Sequence, residues 1–584
     1  MPPIATLVDL LHRHAAERGD AIAYRFDPGG TEDGSVLSFA ALRARALAVA
    51  ASSRAHGAEP GDRVLLVFPP GLDFVAAFFG CLAAGLLAVP MMPPRRAGRH
   101  DASAAIIADC APRLALTSSR LLRDQRSDLA ARLQSAGLRW LAVDEQPPVD
   151  VDGATAPSAP AGDDLAFLQY TSGSTSSPKG VMVGHANLLA DLEMIRAAYG
   201  SSAASTCVSW VPLHHDMGLI LNALASFHAG ASCVLMPPVA FLQRPMSWLR
   251  AIHRHGAEIA GGPNFAFDHC VERFRPEAMT GVDLSRWKVA INGAEPVRAA
   301  TLRRFAETFA PYGFRAESLY PCYGMAEATV LATGRKRGAG ARLRRVAAAD
   351  LKAGVARTVA DGTPESQEIV GCGAALPGTE FAIVDADTRQ RLGENRVGEI
   401  WLRGPHVGRG YWNNPGATAE TFGAELSGRP GVAWLRTGDL GLLDGEGELY
   451  VTGRAKDVII IRGVNHYPQD IEVTVQAASR DLRPGYGAAF GAPHKDGSER
   501  VVVVQEIAAG RRQAIDAAEL TAAIREAIVE AHEVAVADVV LVMPGSVPRT
   551  TSGKIQRGLA RQMWQDGRFA PLVASPTPKD EETA

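Results

Sequence analysis

Between Leu168 and Leu189 the chain reads LQYTSGSTSSPKGVMVGHANLL, a strand-like run, then a stretch of hydroxyl side chains, two glycines and one lysine, then a helix-like run. Thr171, Ser172, Gly173, Ser174, Thr175 and Lys179 offer backbone N–H groups, hydroxyl donors and one cation with no bulky side chain in the way. Those are the parts needed to hold a polyphosphate. A polar surface turn draws on the same residue types, so the stretch alone does not decide between the two. A Walker A loop is excluded by order, because G-x-x-x-x-G-K-[ST] occurs nowhere and Gly553-Lys554 is followed by Ile555. No K-x-D-G sequence occurs, so a nucleic-acid ligase working through an adenylated lysine has no support.

Five further motifs follow: NGAEP at Asn292 to Pro296, YGMAE at Tyr323 to Glu327, RTGDLG at Arg436 to Gly441, GRAKDVIIIRGVNHYPQDIE at Gly453 to Glu472, and PRTTSGKIQR at Pro548 to Arg557. With the opening stretch, and in this order, they resemble the adenylate-forming superfamily of acyl-CoA synthetases, luciferases and peptide-synthetase adenylation domains. The resemblance implies ATP and Mg2+ as cofactors and assigns roles by position. Glu327 would help hold Mg2+, a task suited to a hard oxygen ligand. Gly293, Ala294 and Tyr323 would line the adenine slot, with Glu295, Gly324 and Met325 beside them. Asp439 would accept hydrogen bonds from the ribose hydroxyls, with Arg454 nearby. Lys554 would bridge the acyl carboxylate and the α-phosphate, and Lys456 would be the hinge. A carboxylate is a poor electrophile and repels the phosphate it must attack, so such a site has to neutralise charge that concentrates in the transition state. Singly, each of these charged residues reads as solvated surface. In ordered motifs the functional reading prevails.

SWVPLHHDMGLI, Ser209 to Ile220, resembles the acyl-site motif of the fatty acyl-AMP ligases. His214 is thereby a candidate catalytic residue, and Trp210, His215, Asp216, Met217, Gly218 and Phe265 are acyl-site candidates. Phe241 and Phe267 could line the same pocket, and core packing accounts for these aromatics equally well. An amino-acid adenylation domain would show a Phe-Asp pair where His215 stands. Forty-three residues separate Glu327 from Gly371, and a long segment there resembles the ligase-specific insertion that disfavours coenzyme A. Its six cations between Arg335 and Arg345 are read as a solvated loop ahead of a contact surface for the small domain. The resemblance implies a fatty or related acid as substrate and transfer of the acyl group to a separate acyl carrier protein, since only 30 residues follow Lys554. An ordinary acyl-CoA synthetase is the nearest rival, and a catalytically silent nucleotide-binding scaffold a remote one.

The elements that must position these residues follow from pattern and length. At 584 residues the chain exceeds the roughly 250 to 300 at which one core stops growing. From Arg63 to Met325 short apolar runs alternate with helical patterns, which argues for parallel sheet with flanking helices. Ligands then gather at the carboxyl ends of strands. After Gly371 the texture turns to strands and turns, and from about Asp457 to a mixed pattern. The expected fold is α/β: a large N-terminal domain of mostly parallel sheets over 1–455, with an insertion at 329–370 and a β-rich subdomain at 371–455. A small mobile α+β domain over 456–584 follows. The segment from Glu145 to Asp164 reads as an exposed connector. Phe74 to Met92, uncharged, reads as a buried helix running into a buried strand rather than a membrane span. Seven scattered cysteines, a net charge of -3 and no secretion signal point to a cytoplasmic protein without a nucleic-acid partner. Oligomeric state is left open.

Overall fold

The computed structural model describes residues 4–29, 34–93, 103–123, 138–146, 160–171, 178–461, 464–493, 499–512, 515–550 and 553–572. Ser172 to Thr175 of the phosphate loop, and most of the connector expected at 145–164, lie outside the described residues.

Two parallel sheets dominate the N-terminal region. A seven-stranded sheet runs in the order Leu319–Pro321, Val289–Gly293, Ile259–Pro263, Thr206–Ser209, Ser232–Leu235, Ile22–Phe26, Val36–Ser38, with only the last pair antiparallel. A six-stranded sheet runs Arg139–Ala142, Leu114–Thr117, Arg63–Val67, Leu87–Met91, Leu165–Thr171, Lys179–Gly184 and closes with an antiparallel hairpin. Strands covered on both faces are buried at every position, as in Leu87–Met91, Ile259–Pro263 and Val289–Gly293, which explains their largely apolar sequences, broken only by Asn292.

The uncharged stretch at Phe74 is the buried helix Leu72–Ala83, followed by the strand Leu87–Met91. Its Gly80 packs so closely on the helix Phe39–Ala55 that a Cβ there would come within 2.6 Å of the Val49 side chain. Among the described residues no helix is long and apolar enough to cross a membrane.

A four-stranded antiparallel sheet of Glu380–Val384, Gly398–Arg403, Leu435–Leu443 and Leu449–Arg454 follows. The C-terminal region holds a three-stranded sheet of Leu482–Pro493, Glu499–Ile507 and Val536–Val542. Its central strand reads ERVVVVQEI because both faces are covered. Val501 and Val503 face one cluster with Ile471, Ile524 and Ile528, while Val502 and Val504 face another with Phe490, Val540 and Ala560. Among the described residues, no apolar cluster includes buried members from both sides of residue 456.

Two expectations are corrected. The phosphate-loop stretch does not run from strand into helix. Thr171 pairs with Lys179 across a hairpin, and the strand Lys179–Gly184 precedes the helix His185–Tyr199. Val181 and Val183 are buried at period two, and that alternation favours an extended chain. The cations of the insertion are not a solvated loop either. Leu343–Ala347 pairs antiparallel with Ser366–Val370, which brings the arginines against carboxylates of the N-terminal region. Arg335 meets Glu448 at 3.6 Å, Arg337 meets Glu258 at 3.3 Å, Arg342 meets Glu446 at 2.5 Å, and Arg345 meets Asp361 at 3.1 Å. Arg344 donates to Asn395 Oδ1 at 2.7 Å. It is the short helix Ala348–Lys352 that touches the C-terminal region, against the strand Val464–His466.

Candidate active site

Four neighbouring parallel strands of the seven-stranded sheet end on one side, and each delivers a motif from its carboxyl end. Thr206–Ser209 leads into His214, His215 and Asp216; Ile259–Pro263 into Phe265; Val289–Gly293 into Ala294 and Glu295; Leu319–Pro321 into Tyr323 through Glu327. Residues scattered over more than a hundred positions are brought together by strand order alone.

The nucleotide corner is built first from backbone. Ala294 sits at φ 65°, and Gly293 lies against Cys322, where a Cβ would be 3.0 Å from the carbonyl oxygen. Gly324 has no room for a side chain, since a Cβ there would meet Val330 O at 1.7 Å. Tyr323 Oη donates to Asp439 Oδ2 at 2.8 Å, and Arg454 Nε lies 3.1 Å from Asp439 Oδ1. Asp439 and Arg454 are paired residues on adjacent antiparallel strands, so the pleat fixes their proximity. Met325 flanks the Tyr323 hydroxyl at 3.9 Å.

Glu327 lies in the turn Ala326–Ala328 and is 9% exposed. Burial raises its pKa, and the hydrogen bond from Tyr411 Oη to Oε1 at 2.8 Å opposes the rise. Lys179 stands 4.7 Å from the centroid of the same Tyr411 ring. Among the described residues no group of three or more His, Cys, Asp or Glu could hold a metal ion by itself. One buried carboxylate fits Mg2+, which is usually held by one or two carboxylates plus substrate phosphates.

The acyl-site motif is held by its own turn. His215 Nδ1 lies 2.6 Å from Asp216 Oδ1, which also accepts from Met217 N at 2.6 Å. Burial alone would raise the Asp216 pKa, yet the charge and hydrogen bond of His215, with Lys554 beyond, pull it below the usual value. Gly218 is required by the turn, because a Cβ would meet Pro212 O at 2.2 Å. His214 is fixed through its carbonyl, which accepts from Gln169 Nε2 at 3.0 Å. Trp210 stacks on Phe241 at 3.9 Å and 12° and meets Phe265 edge-on at 5.9 Å. Phe267 does not join this group. It is fully buried against Trp248 and Phe305, in the core.

Lys554 enters from the C-terminal region on a tight turn, with Thr550 N donating to Lys554 O at 2.8 Å and Gly553 at φ 90°. The backbone of Gly553 lies on the Phe265 ring, where an added Cβ would come within 2.9 Å of Cε1. Burial lowers the Lys554 pKa, with Arg454 adding to the fall, while Asp216, Glu295 and Asp439 act to raise it. The ammonium is therefore within electrostatic reach of the acyl-site turn, the NGAEP turn and the Tyr323–Asp439 corner at once. Glu295 is also committed elsewhere: its Oε1 accepts from Phe265 N at 2.6 Å, tying the helix Asn264–Glu272 to the turn. Lys456 sits exposed in the turn after Leu449–Arg454. Tyr411, in the run GRGYWNNP, was not among the residues singled out from sequence, and nor was the pairing of Asp457 with Arg557 at 3.2 Å.

The AMP-binding enzyme family matches residues 11–412, and the AMP domain of Disco-interacting protein 2-like proteins matches 456–572. The medium-chain-fatty-acid–[acyl-carrier-protein] ligase JamA of Moorena producens is 40% identical over 97% of this chain and 96% of its own. The long-chain-fatty-acid–AMP ligase FadD32 of Mycolicibacterium smegmatis is 37% identical over 99% of this chain and 97% of its own. Among solved structures, a fatty acyl-adenylate ligase from L. pneumophila in complex with acyl adenylate and pyrophosphate superposes with a TM-score of 0.73, at 37% identity over 97% of this chain and 98% of that one. The chain belongs to the AMP-binding enzymes and, within them, to the fatty acyl-AMP ligases.

Proposed function

We propose that this protein activates a fatty or related carboxylic acid with ATP, forming acyl-AMP and pyrophosphate, and then passes the acyl group to the phosphopantetheine thiol of a separate acyl carrier protein. The observation that carries this reading is the position of Lys554, on a C-terminal loop yet acting on Asp216, Glu295 and Asp439 of the N-terminal region. Asp439 accepts hydrogen bonds from the ribose hydroxyls, with Tyr323 and Arg454 holding its carboxylate in place. Gly293 and Ala294 leave room for the adenine. Lys179, Thr171 and the hydroxyl residues Ser172, Ser174 and Thr175 hold the triphosphate. When bound, Mg2+ supplies charge neutralisation across the phosphates, with Glu327 as its protein ligand. Lys554 stabilises the negative charge that concentrates as the carboxylate oxygen attacks the α-phosphorus and pyrophosphate leaves.

His215 and Asp216 close the acyl side of the cleft, and Phe265 and Trp210 border it with apolar surface, with Phe241 packed behind Trp210. The domain division falls at 455/456, with Lys456 as the hinge about which the C-terminal region turns between the two half-reactions. The contact of Ala348–Lys352 with Val464–His466 supports a restraining role for the insertion. A cytoplasmic location suits seven free, buried cysteines.

The test is pyrophosphate release over a panel of acids, with hydroxylamine trapping of the adenylate, followed by presentation of either coenzyme A or a phosphopantetheinylated carrier. Acid-dependent release with thioester formed on the carrier in preference to coenzyme A is expected. Release without acid dependence overturns the reading, and preferential thioester formation on coenzyme A makes the enzyme a synthetase instead.

A further inference from the structure

We infer that Tyr411 is a positioning residue for the triphosphate, a single side chain that aims the Glu327 carboxylate with its hydroxyl and seats Lys179 on its ring. The inference rests on the reading of Glu327 as the carboxylate that faces the phosphates.

The backbone around Tyr411 is clamped on both sides. Along one side it extends the hairpin that carries the phosphate loop. Arg409 N donates to Met182 O at 2.9 Å, Met182 N to Gly410 O at 2.9 Å, and Trp412 N to Gly180 O at 2.8 Å, with Val181 and Tyr411 as bridge partners. Along the other side the same segment grips the Glu327 turn: Gly408 N donates to Glu327 O at 2.9 Å, and Thr329 Oγ1 to His406 O at 2.6 Å. The ring itself is 6% exposed and packs edge-on against Phe422 at 5.2 Å. A phenol so tightly bounded has little freedom to choose where its hydroxyl points.

The consequences are chemical. A hydrogen bond donated to one carboxylate oxygen fixes the orientation of the group. Tyr411 Oη, 2.8 Å from Oε1, commits one carboxylate oxygen and leaves Oε2 outside that bond. The ring face attracts the Lys179 ammonium at 4.7 Å, holding a long flexible chain at the loop's exit before any phosphate arrives. Both groups are thus oriented in advance by one residue, which lowers the ordering cost of binding.

The experiment measures binding of a non-hydrolysable ATP analogue by calorimetry, with and without Mg2+, in the full chain and in Tyr411→Phe, Tyr411→Leu and Glu327→Gln. Tyr411→Phe keeps the ring and loses the donor. The Mg2+-dependent gain in affinity should fall about tenfold in that variant while metal-free affinity stays as in the parent. Tyr411→Leu should lose a further few-fold in metal-free affinity, since it no longer seats Lys179. A parental Mg2+ gain in Tyr411→Phe, with Glu327→Gln losing the gain, overturns the role of Tyr411 alone. Retention of the gain in Glu327→Gln overturns the reading of Glu327 beneath it. Thermal melting of each variant separates these outcomes from misfolding, and the Phe substitution decides should the Leu variant fail to fold.

Discussion

The two regions on either side of residue 456 are built on different principles. The N-terminal region buries one large cluster running from Leu7 to Tyr411 with four smaller ones around it, and its nucleotide corner is shaped by backbone and neighbouring strands. The C-terminal region splits its apolar side chains into two thin clusters, one per face of a three-stranded sheet, and supplies a single ammonium from a loop. Where the regions meet, the contacts are charged groups, the Phe265 and Tyr467 rings and a hydrogen bond from Gln469 Nε2 to Thr452 O at 2.6 Å, rather than shared core. A site that must be rebuilt between half-reactions gains from this division, since packed interfaces cost more to separate than polar ones. The larger region holds the geometry, and the smaller one carries a charge to it.

If a hinge at Lys456 moves Lys554, rigidity inside the small region would carry it as one piece. Arg557 supplies it: Nε and Nη2 meet Glu472 at 2.7 and 2.8 Å, and Nη1 meets Asp457, next to Lys456, at 3.2 Å. Glu472 is 3% exposed and also accepts from Ala489 N. Arg557→Met should therefore leave a buried carboxylate unpaired and cost about 3 to 5 kcal/mol. The loss should fall on the C-terminal region, seen as a lowered transition in a thermal or hydrogen-exchange experiment while the N-terminal transition stays. Equal shifts in both would break the comparison.

Lys554→Ala tests the division of labour directly. Adenylate formation should fall by about 10²- to 10³-fold, or about 3 to 4 kcal/mol of transition-state stabilisation, with ATP affinity nearly unchanged. Turnover near the parental rate, or loss of ATP binding in step with turnover, would move the charge-carrying role elsewhere.

Acid should act on both regions, since burial lowers the pKa of His14, His185 and His406 of the N-terminal region to about 4 as well. His466 and His532 are buried beside Lys352, and burial lowers each pKa from 6.5 to about 4. A base depressed in the folded state binds fewer protons than in the unfolded chain, so stability is present above pH 6.5 and is lost as pH falls toward about 4. Each contributes at most about 3 kcal/mol. Asp470, raised to about 6 by burial, works the other way: its folded form binds more protons, so it recovers some stability as pH falls through the same window. Unfolding monitored between pH 7 and 4.5 should show net loss in the C-terminal transition, with a shallower slope in His532→Gln. A flat profile there would mean these histidines titrate as exposed ones do.

How much of this was legible in the sequence depended on whether a role lives in a contiguous segment. NGAEP, YGMAE and RTGDLG were readable because each is a strand end or hairpin whose backbone does the work, and the strand candidates from Arg63 to Met325 were apolar runs in a doubly covered sheet. Tyr411 was not readable. Its function arises from pairing of residues 409 to 412 with 180 to 182, about as far apart in sequence as they are close in space. The strand Lys179–Gly184 was taken for a helix start because five apolar or glycine residues there run directly into a true helix. Phe267 and Phe265 differ by two positions and by whether a helix turns them to core or cleft, which composition does not encode.

The insertion shows the same limit for charges and gives the smallest expected effect. Six cations suggested a basic surface, but the arginines are tied to carboxylates of their own region, so removing Arg335 to Arg345 would strip the strand Leu343–Ala347 and say little about restraint. Lys352 is the sharper probe, because it acts on Asp470, His466 and His532 across the boundary. If the insertion holds the small region by this contact, Lys352→Ala weakens it by less than about 1 kcal/mol, as for other solvent-accessible pairs. The ratio of coenzyme A thioester to carrier thioester should then rise by no more than about fivefold. Arg345→Ala, whose partners Asp361 and Glu368 lie wholly within the N-terminal region, should leave that ratio where it was. An equal response from both variants would place the restraint in the fold of the insertion as a whole, and the boundary charge would lose its part.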